Sequence, residues 1–141
     1  LIMKYWLKIK NLIDPEDNKY SFTRDEETLK RYIKFKQNIS DINEYLFNTL
    51  FKKNISNENT DIIFKENDYP YKLPKNIKHY LIWIHPDKKY SWREVNDFLI
   101  KCIRNHNLNI NDYILFRNNL VNKSIEQIEH YHVFLKVFKI E

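Results

Sequence analysis

The chain has 141 residues, of which 43% are hydrophobic and 16% aromatic, so it can bury the core of one domain. Its net charge of +5 lies in residues 71–141, which carry 12 basic and 7 acidic side chains, whereas residues 1–70 carry 12 of each. This modest excess favours an anionic partner, but there is no long run of lysine and arginine, and a solvated surface is the stronger interpretation. The absence of glycine excludes the glycine-rich phosphate loops of P-loop and dinucleotide-binding proteins.

The first half of the chain predicts one strand and two helices. Residues 4–10 alternate enough to favour a strand, and residues 14–18 favour a turn. A capping box at residues 23–26 predicts a helix to about Gln37, and Ser40 and Asp41 predict the start of a second helix to about Lys53. The apolar stripes expected to face the core are Leu29, Tyr32, Ile33 and Lys36 in the first helix, and Ile42, Tyr45, Leu46, Thr49 and Leu50 in the second. Residues 54–59 are typical of a polar linker.

The second half of the chain favours strands. Residues 61–64, 77–85, 112–117 and 128–138 predict four strands, and Ser91 to Glu94 form a capping box that begins a helix to about Asn105. Pro70 and Pro74 favour a pinned loop. The order β-α-α-β-β-α-β-β indicates an α+β fold: a single domain over residues 1–141, with a mainly antiparallel sheet flanked by about three helices. A helical part would span about residues 20–55 and a strand-rich part about 60–138.

A single cysteine, Cys102, excludes an intramolecular disulfide and favours a reducing, cytoplasmic compartment. The apolar runs are too short to cross a membrane, and residues 1–6 lack the features of a signal peptide, so no membrane contact is expected. Abundant asparagine, isoleucine and lysine are typical of AT-rich genomes, such as those of some protists and large DNA viruses. A viral protein is therefore one expectation.

The last predicted strand contains two of the five histidines. Side chains alternate between the two faces of a strand, so one face, typical of a core, holds Tyr131, Val133, Leu135 and Val137. The other face holds His130, His132, Phe134 and Lys136, a set that favours a ligand over water. His79 and Trp83 share one face of the strand at 77–85. We therefore expect His79 to open onto the same pocket as His130 or His132.

Three blocks of the sequence resemble the N-acetylglucosamine-induced-protein family, a fungal and viral family of unknown function. Residues 29–36 (LKRYIKFK) are similar to its early RY-x-x-W/F-K helix. Residues 67–71 (NDYPY) and 77–83 (IKHYLIW) are similar to its N-D-W-P-Y and I-x-H-hydrophobic-V-W motifs. The blocks FRNN, KSI and EHYHV, at residues 116–119, 123–125 and 129–133, are similar to its W-F-x-N-P, S-V and E-H-F-H-V motifs.

The order of these blocks is kept over about residues 20–137, so the resemblance implies a shared fold and a shared pocket. The sequence departs from the pattern at Tyr69, where the family has tryptophan, and at Asn119, where it has proline. The family's glycines are also missing. The resemblance implies no particular reaction.

The function that the residues favour is binding of a small anionic ligand, namely a nucleotide, an mRNA cap or a sugar phosphate, with RNA as a possible partner and no cofactor. Aromatic rings can stack on a base or sugar, and basic side chains can meet phosphate. The predicted ligand contacts are His79, His130, His132, Trp83, Arg117, Asn118, Phe134, Lys136 and Tyr71. The histidines would contact phosphate, Trp83 would stack, and Arg117 and Asn118 would orient the ligand. The order of elements also resembles the translation-initiation cap-binding fold, in which two tryptophans enclose a methylated guanine.

Three alternatives remain open. Residues 130–132 resemble part of the histidine-triad signature, with Phe134 at its third position, so His130, His132 and His79 are candidate catalytic residues of a phosphoryl or nucleotidyl hydrolase or transferase. His130 and His132 could share a metal ion with His79 or His85, and Asp68 or Glu129 could supply a further ligand. A structural or assembly protein would keep the fold without the pocket. The sequence leaves enzymatic activity undecided.

Overall fold

The computed structural model describes residues 2–52, 61–119 and 128–138. The elements in chain order are α1 (Ile2–Leu12), α2 (Glu26–Asn38), α3 (Ile42–Phe47) with a π-helical turn (Asn48–Lys52), β1 (Ile62–Glu66), β2 (Ile77–Ile84), α4 (Trp92–Asn105), β3 (Ile110–Phe116) and β4 (His130–Val137). The strands form one sheet in the order β1-β2-β4-β3, and each neighbouring pair is antiparallel. The predicted α+β class with an antiparallel sheet is therefore confirmed, with one helix more than expected.

One face of the sheet packs against α4. Val95 and Leu99 of this helix are fully buried against side chains that alternate along the strands, namely Ile82, Ile84, Leu115, Tyr131, Val133 and Leu135. The predicted core face of β4 is confirmed for Tyr131, Val133 and Leu135, whereas Val137 at the end of the strand is half-buried and outside this cluster. Burial of these aliphatic and aromatic side chains is the main source of stability for this half of the domain.

The other face of the sheet carries the histidines, and it is covered as well. Near β3, α1 packs on it through Trp6, Ile9 and Ile13, which contact Ile77, Ile114, Phe116 and Phe134. Near β1, the π-helical turn packs Leu50 and Phe51 against Leu81, Trp83 and Ile128. The histidine-bearing face is thus an interior layer between the sheet and the N-terminal helices.

Side-chain caps begin three of the helices. Ser91 and Glu94 form the predicted capping box of α4, in which each side chain bonds the other residue's backbone N–H. Asp41 caps α3 as predicted, by accepting from the Glu44 N–H. In α2 the cap is Asp25, which accepts from the Thr28 N–H at 2.7 Å, and the predicted box beginning at Thr23 does not form.

The strand predicted at residues 4–10 is wrong, because this segment is helix α1. Trp6, Ile9 and Ile13 are spaced three and four residues apart, which places them on one face of a helix. All three are at most 5% exposed. The Trp6 indole N–H also donates to Asp112 of β3 at 2.8 Å, which fixes the helix on the sheet.

The predicted inward stripe of α2 is also partly wrong. Tyr32 is buried as expected, but Leu29 and Ile33 are 42% and 45% exposed, and Thr28 is buried in their place. The helix is rotated so that its aromatic side chains face the interior. The predicted linker at 54–59 and the block at 123–125 lie outside the described residues. No helix in the described part of the chain is both long and apolar enough to span a membrane.

Candidate functional site

A cavity of about 340 Å³ lies between the histidine-bearing face of the sheet and the helices α2 and α3. Its walls combine aromatic, aliphatic, charged and amide side chains with two histidines. They are formed by Arg24, Tyr32, Phe35, Asn38, Ile39, Tyr45, Leu46, Thr49, Leu50, Lys65, Glu66, Asn67, Asp68, Tyr69, Leu81, Trp83, His130 and His132. Mostly apolar pockets with a few placed polar groups are the usual form of small-molecule sites.

Two histidines form a buried pair behind this cavity. His79 lies on β2 and His132 on the neighbouring strand β4, where His132 is opposite Leu81 in the antiparallel register. Their side chains lean together, so that His79 Nε2 lies 2.8 Å from His132 Nδ1. Both residues are nearly inaccessible to solvent, and only His132 reaches the cavity wall. His79 and His132 thus lie together on one face of the sheet, but His79 is not part of the cavity wall, so it does not open onto the pocket as the sequence predicts.

The loop at residues 67–71 holds His79 from the other side. The Tyr71 backbone N–H donates to His79 Nδ1 at 3.1 Å, and the Asn67 side-chain nitrogen lies 3.5 Å from the same atom. Asn67 is oriented by the Tyr69 N–H, which donates to its side-chain oxygen at 2.8 Å. The NDYPY segment therefore folds back over the sheet and makes His79 Nδ1 an acceptor.

Asn118 contacts the outer nitrogen of the pair. Its side-chain nitrogen lies 3.1 Å from His132 Nε2 and donates to the Tyr71 hydroxyl at 3.0 Å. Its side-chain oxygen accepts from Asn18 at 2.8 Å. The His132 ring is stacked between Tyr71 and Phe116, whose centroids lie 5.3 and 5.2 Å away. Both nitrogens of His132 are thus engaged inside the protein, which makes His132 a poor nucleophile.

Burial keeps both histidines uncharged at neutral pH. Burial, with smaller contributions from Arg24 and His130, lowers the pKa of His79 from 6.5 to about 3. Burial, with smaller contributions from His79, His130 and Arg24, holds the pKa of His132 well below its ordinary value. Desolvation disfavours the charged form of an imidazole. These histidines can therefore meet a ligand as neutral hydrogen-bonding groups but not as cations.

His130 and Trp83 form a second pair at the cavity wall, opposite each other on β4 and β2. Their ring centroids are 4.7 Å apart, with planes tilted by 35°. His130 Nδ1 lies 3.0 Å from the Ile128 carbonyl oxygen, to which it donates. In the neutral ring this bond places the proton on Nδ1 and makes Nε2 the acceptor.

Arg24 is one of two basic side chains in the cavity wall, and the other, Lys65, is paired with Asp68. The Arg24 Nε–H donates to the Tyr69 carbonyl at 2.8 Å, and its guanidinium lies 4.0 Å from the Tyr32 ring centroid and 5.2 Å from that of Tyr71. Among the residues that the structure describes, no carboxylate forms an ion pair with it. A stacked, half-buried guanidinium without a carboxylate is suited to an anionic ligand.

Six of the nine predicted ligand contacts are not part of the cavity wall. His79, Tyr71 and Asn118 belong to the polar network behind it, and the other three are Phe134, Arg117 and Lys136. Phe134 is fully buried in the cluster under α1. Arg117 donates to Glu129 at 2.8 Å, and its guanidinium lies 5.5 Å from the Tyr131 ring, a residue of the α4 face. Lys136 lies near the end of β4, half-exposed, and is not part of the cavity wall. Phe134 and Lys136 lie on the same face of β4 as the histidines, as the alternation of side chains predicts. The cavity covers only the part of this face near His130 and His132.

No group of three or more histidine, cysteine, aspartate or glutamate side chains is arranged to hold a metal ion within residues 2–52, 61–119 and 128–138. The carboxylates considered as partners are engaged elsewhere: Asp68 lies 3.5 Å from Lys65, and Glu129 accepts from Arg117. His79 and His132 bond each other, which occupies the nitrogens that would face a shared ion.

Several residues of the site were missed by sequence reasoning. The sequence places Arg24 in a predicted helix cap and Asn18 in a predicted turn. The signal that could have found the aromatic wall is the RY pair Arg31-Tyr32, because the resemblance singled out this helix and its tyrosine is buried. The long-range pairing of Asn18 with Asn118 has no local signal, since 100 residues separate them.

The fold and the cavity define an α+β domain with a pocket that combines aromatic rings, buried histidines and one arginine. Residues 5–136 match the family described as "protein of unknown function (DUF3605)", and the chain belongs to this family. No curated protein sequence matches the chain. The structure is similar to the crystal structure of a protein called HTC1, with a TM-score of 0.57 and 18% sequence identity over 97% of this chain and 82% of that one. At this identity the similarity concerns the fold.

Proposed function

We propose that the chain binds a small anionic ligand with a planar or ring-shaped part, such as a nucleotide, an mRNA cap or a sugar phosphate, in the cavity under α2 and α3. The observation that carries the proposal is Arg24. Its guanidinium faces an otherwise mostly apolar cavity and forms no ion pair with a carboxylate of the described residues.

An anion at this position would gain a charge-assisted bond from a donor that is already oriented. The bond from Arg24 Nε to the Tyr69 carbonyl and the stacking on Tyr32 hold the planar guanidinium in place. Little side-chain freedom is then lost when the ligand binds. The low dielectric of the cavity strengthens the attraction relative to that on an open surface.

The walls and size of the cavity favour a ligand with one ring system. Phe35 and Tyr69 are stacked 5.3 Å apart, and Trp83 lies on the opposite wall beside His130. A volume of about 340 Å³ is near the lower end of the range for ligand pockets, roughly 300–1,000 Å³. This size is suited to a mononucleotide or sugar phosphate rather than a dinucleotide, and a capped RNA would place only its cap inside.

The roles of the predicted residues change in this proposal. Trp83 and His130 would contact the ring of the ligand, and Arg24 would neutralise its charge. His79 and His132 would contribute as neutral groups, because burial keeps their pKa values low. Arg117 and Lys136 would take no direct part.

Calorimetric titration of the purified protein tests this proposal. The panel contains AMP, GMP, a methylated cap analogue and glucosamine 6-phosphate, each paired with its unphosphorylated parent compound. We expect one phosphorylated compound to bind and its parent to bind at least about tenfold more weakly, because the parent lacks the bond to Arg24. Arg24→Gln should reduce the affinity similarly, whereas Arg93→Gln, which changes an exposed arginine of α4, should leave it unchanged.

Two results of this titration would contradict the proposal. If Arg24→Gln and Arg93→Gln change the affinity equally, the ligand does not bind in this pocket. Absence of binding by every compound would favour a structural or assembly protein. Histidine-dependent hydrolysis of the bound compound would instead favour a phosphoryl or nucleotidyl transferase, with His130 as the candidate catalytic residue because both nitrogens of His132 are engaged.

A relationship to the N-acetylglucosamine-induced proteins is also part of the proposal. The blocks that resemble the N-acetylglucosamine-induced proteins are our reason to include an amino-sugar phosphate in the panel. A cytoplasmic location is proposed on the single cysteine, Cys102, and a viral source on the composition typical of an AT-rich genome.

A further inference from the structure

The buried polar groups behind the cavity form one continuous chain of close polar contacts. It runs from the Tyr20 backbone N–H through Asn18, Asn118, His132 and His79 to the Tyr71 backbone N–H. A backbone N–H can only donate. The two ends of the chain therefore fix the direction of every hydrogen bond between them.

The end at Tyr71 fixes the protons of both histidines. His79 Nδ1 accepts from the Tyr71 N–H and faces the side-chain nitrogen of Asn67, so it carries no proton. A neutral His79 then carries its proton on Nε2 and donates to His132 Nδ1 at 2.8 Å. Since His132 is also neutral, its proton must lie on Nε2.

The end at Tyr20 fixes the two asparagines. The Tyr20 N–H donates to the side-chain oxygen of Asn18 at 3.0 Å, so the Asn18 side-chain nitrogen donates to the oxygen of Asn118. The nitrogen of Asn118 must then face His132 Nε2, at 3.1 Å. Two N–H groups therefore meet at this junction, and the chain lacks one hydrogen-bond acceptor.

We propose that the junction of His132 and Asn118 is an oxygen-binding subsite of the pocket, which takes one oxygen of the ligand's anionic group. The Nε2–H of His132 and the side-chain N–H of Asn118 would both donate to this oxygen. His132 lines the cavity, whereas Asn118 and Tyr71 are not part of its wall, so the junction lies behind the wall beside the Tyr71 ring that stacks on His132. The Arg24 guanidinium lies 5.2 Å from the centroid of that ring, and the subsite and the guanidinium would serve one phosphate, sulfate or carboxylate group. This inference rests on the proposed function and extends it to the orientation of the ligand, with the anionic group inward and the ring toward Trp83.

The subsite would work without protonation of a histidine. The charged and titratable groups that face the pair are Arg24, His130 and Tyr71, and the first two disfavour a further positive charge on it. Anion affinity should therefore stay constant between pH 5.5 and 8. A histidinium site would instead lose affinity as the pH rises through the ordinary histidine pKa of about 6.5.

Nitrogen-15 NMR of the ligand-free protein gives the first test, because it reports which ring nitrogen carries the proton. We expect both His79 and His132 to be protonated on Nε2 at pH 7. A proton on Nδ1 of His132 would overturn the inference. His132 Nε2 would then accept from the Asn118 side chain, and the junction would need no further hydrogen-bond acceptor. This measurement requires no variant and no bound anion.

Titration with inorganic sulfate gives the second test, because sulfate keeps its charge over this pH range. Asn118→Ala should weaken sulfate binding about tenfold or more, whereas Asn96→Ala, which removes an amide on the α4 face of the sheet, should have no effect. If Arg24→Gln weakens binding but Asn118→Ala does not, or if the affinity falls between pH 5.5 and 8, the subsite is wrong and the proposed pocket stands. If sulfate and the nucleotide panel all fail to bind, both proposals are wrong.

Discussion

His79 and His132 show how burial changes what a histidine can do. An exposed imidazole near neutral pH is a reversible charge, but these two rings lie among Tyr71, Phe116 and Phe134, where a charge would be poorly solvated. Their value to the protein is directional: His79 accepts from the Tyr71 N–H and donates to His132, which turns its Nε2 toward Asn118. The cavity wall also holds the guanidinium of Arg24, which forms no ion pair with a carboxylate of the described residues.

The lowered pKa values predict that the protein loses stability in mild acid. Below pH 6.5 the histidines of the unfolded chain bind protons, whereas the buried histidines of the folded protein stay neutral. The stabilisation is therefore fully present above pH 6.5, and it is lost as the pH falls toward the folded pKa, which is about 3 for His79. We expect the free energy of unfolding to fall by roughly 1–3 kcal/mol between pH 7.5 and 5.5, measured by urea denaturation. His79→Gln should flatten this dependence, and His106→Gln, at an exposed position, should not. Equal slopes for wild type and His79→Gln would refute the assignment.

At this scale, the sequence predicts which face a residue occupies but not its surroundings. The alternation along two strands was enough to bring His79, Trp83, His130 and His132 to one side of the sheet. It could not show that helices cover this side, and so it could not show that the histidines are neutral. Arg24 precedes a helix by two residues, and only the tertiary contact with Tyr69 places it in the cavity.

Helix α1 illustrates how one element depends on another that is distant in sequence. Its buried side chains fill the space over β3, and Trp6 and Lys10 both bond the carboxylate of Asp112. A strand prediction over residues 4–10 failed because tyrosine, tryptophan and isoleucine favour strands by local propensity. The helical spacing of Trp6, Ile9 and Ile13 prevails, since it matches a groove that the sheet provides.

Replacing Trp6 measures the docking of this helix. Trp6→Phe keeps an aromatic ring but removes the indole N–H that donates to Asp112 at 2.8 Å. We expect it to lower the free energy of unfolding by about 2 kcal/mol, because a bond to a charged acceptor and part of the buried surface are lost. Leu7→Ala, on the exposed side of the same helix, should cost less than about 1 kcal/mol. Similar losses for the two variants would mean that α1 does not pack as described.

The other helices were easier to predict because their ends carry local signals. Asp41 and the Ser91–Glu94 box satisfy backbone N–H groups within a single turn, so a few neighbouring residues are sufficient to identify them. The orientation of α2 could not be found in this way. Leu29 and Ile33 have the spacing of a core stripe, yet the helix turns Tyr32 inward toward Arg24 and the cavity.

The whole molecule is a sheet with two different interiors. The α4 side is an aliphatic core of the ordinary kind, whereas the opposite side divides its space between a small apolar cluster, a polar network and a cavity. Stability should therefore come mainly from the first side and binding from the second. Functional surfaces are seldom optimised for stability.

A pair of leucine variants tests this division together with the orientation of α2. Leu135→Ala removes a side chain that is 1% exposed on the α4 side and should cost about 2–5 kcal/mol through the cavity it leaves. Leu29→Ala makes the same chemical change at a position that is 42% exposed and should cost less than about 1 kcal/mol. Thermal and urea unfolding measure the stability of both variants. A loss above 2 kcal/mol for Leu29→Ala would mean that Leu29 is buried, as the sequence predicts, and that the described orientation of α2 is wrong.

The position of β4 in the sheet has a consequence for synthesis on the ribosome. This strand follows the other three along the chain, yet it lies between β2 and β3 and pairs with both. Until residue 137 has been translated and released, β2 and β3 have no partner along those edges, and their apolar faces stay accessible to other nascent chains. The pocket needs the same strand, because His130 and His132 belong to it. A ligand therefore cannot assist the early steps of folding and can stabilise only the finished domain.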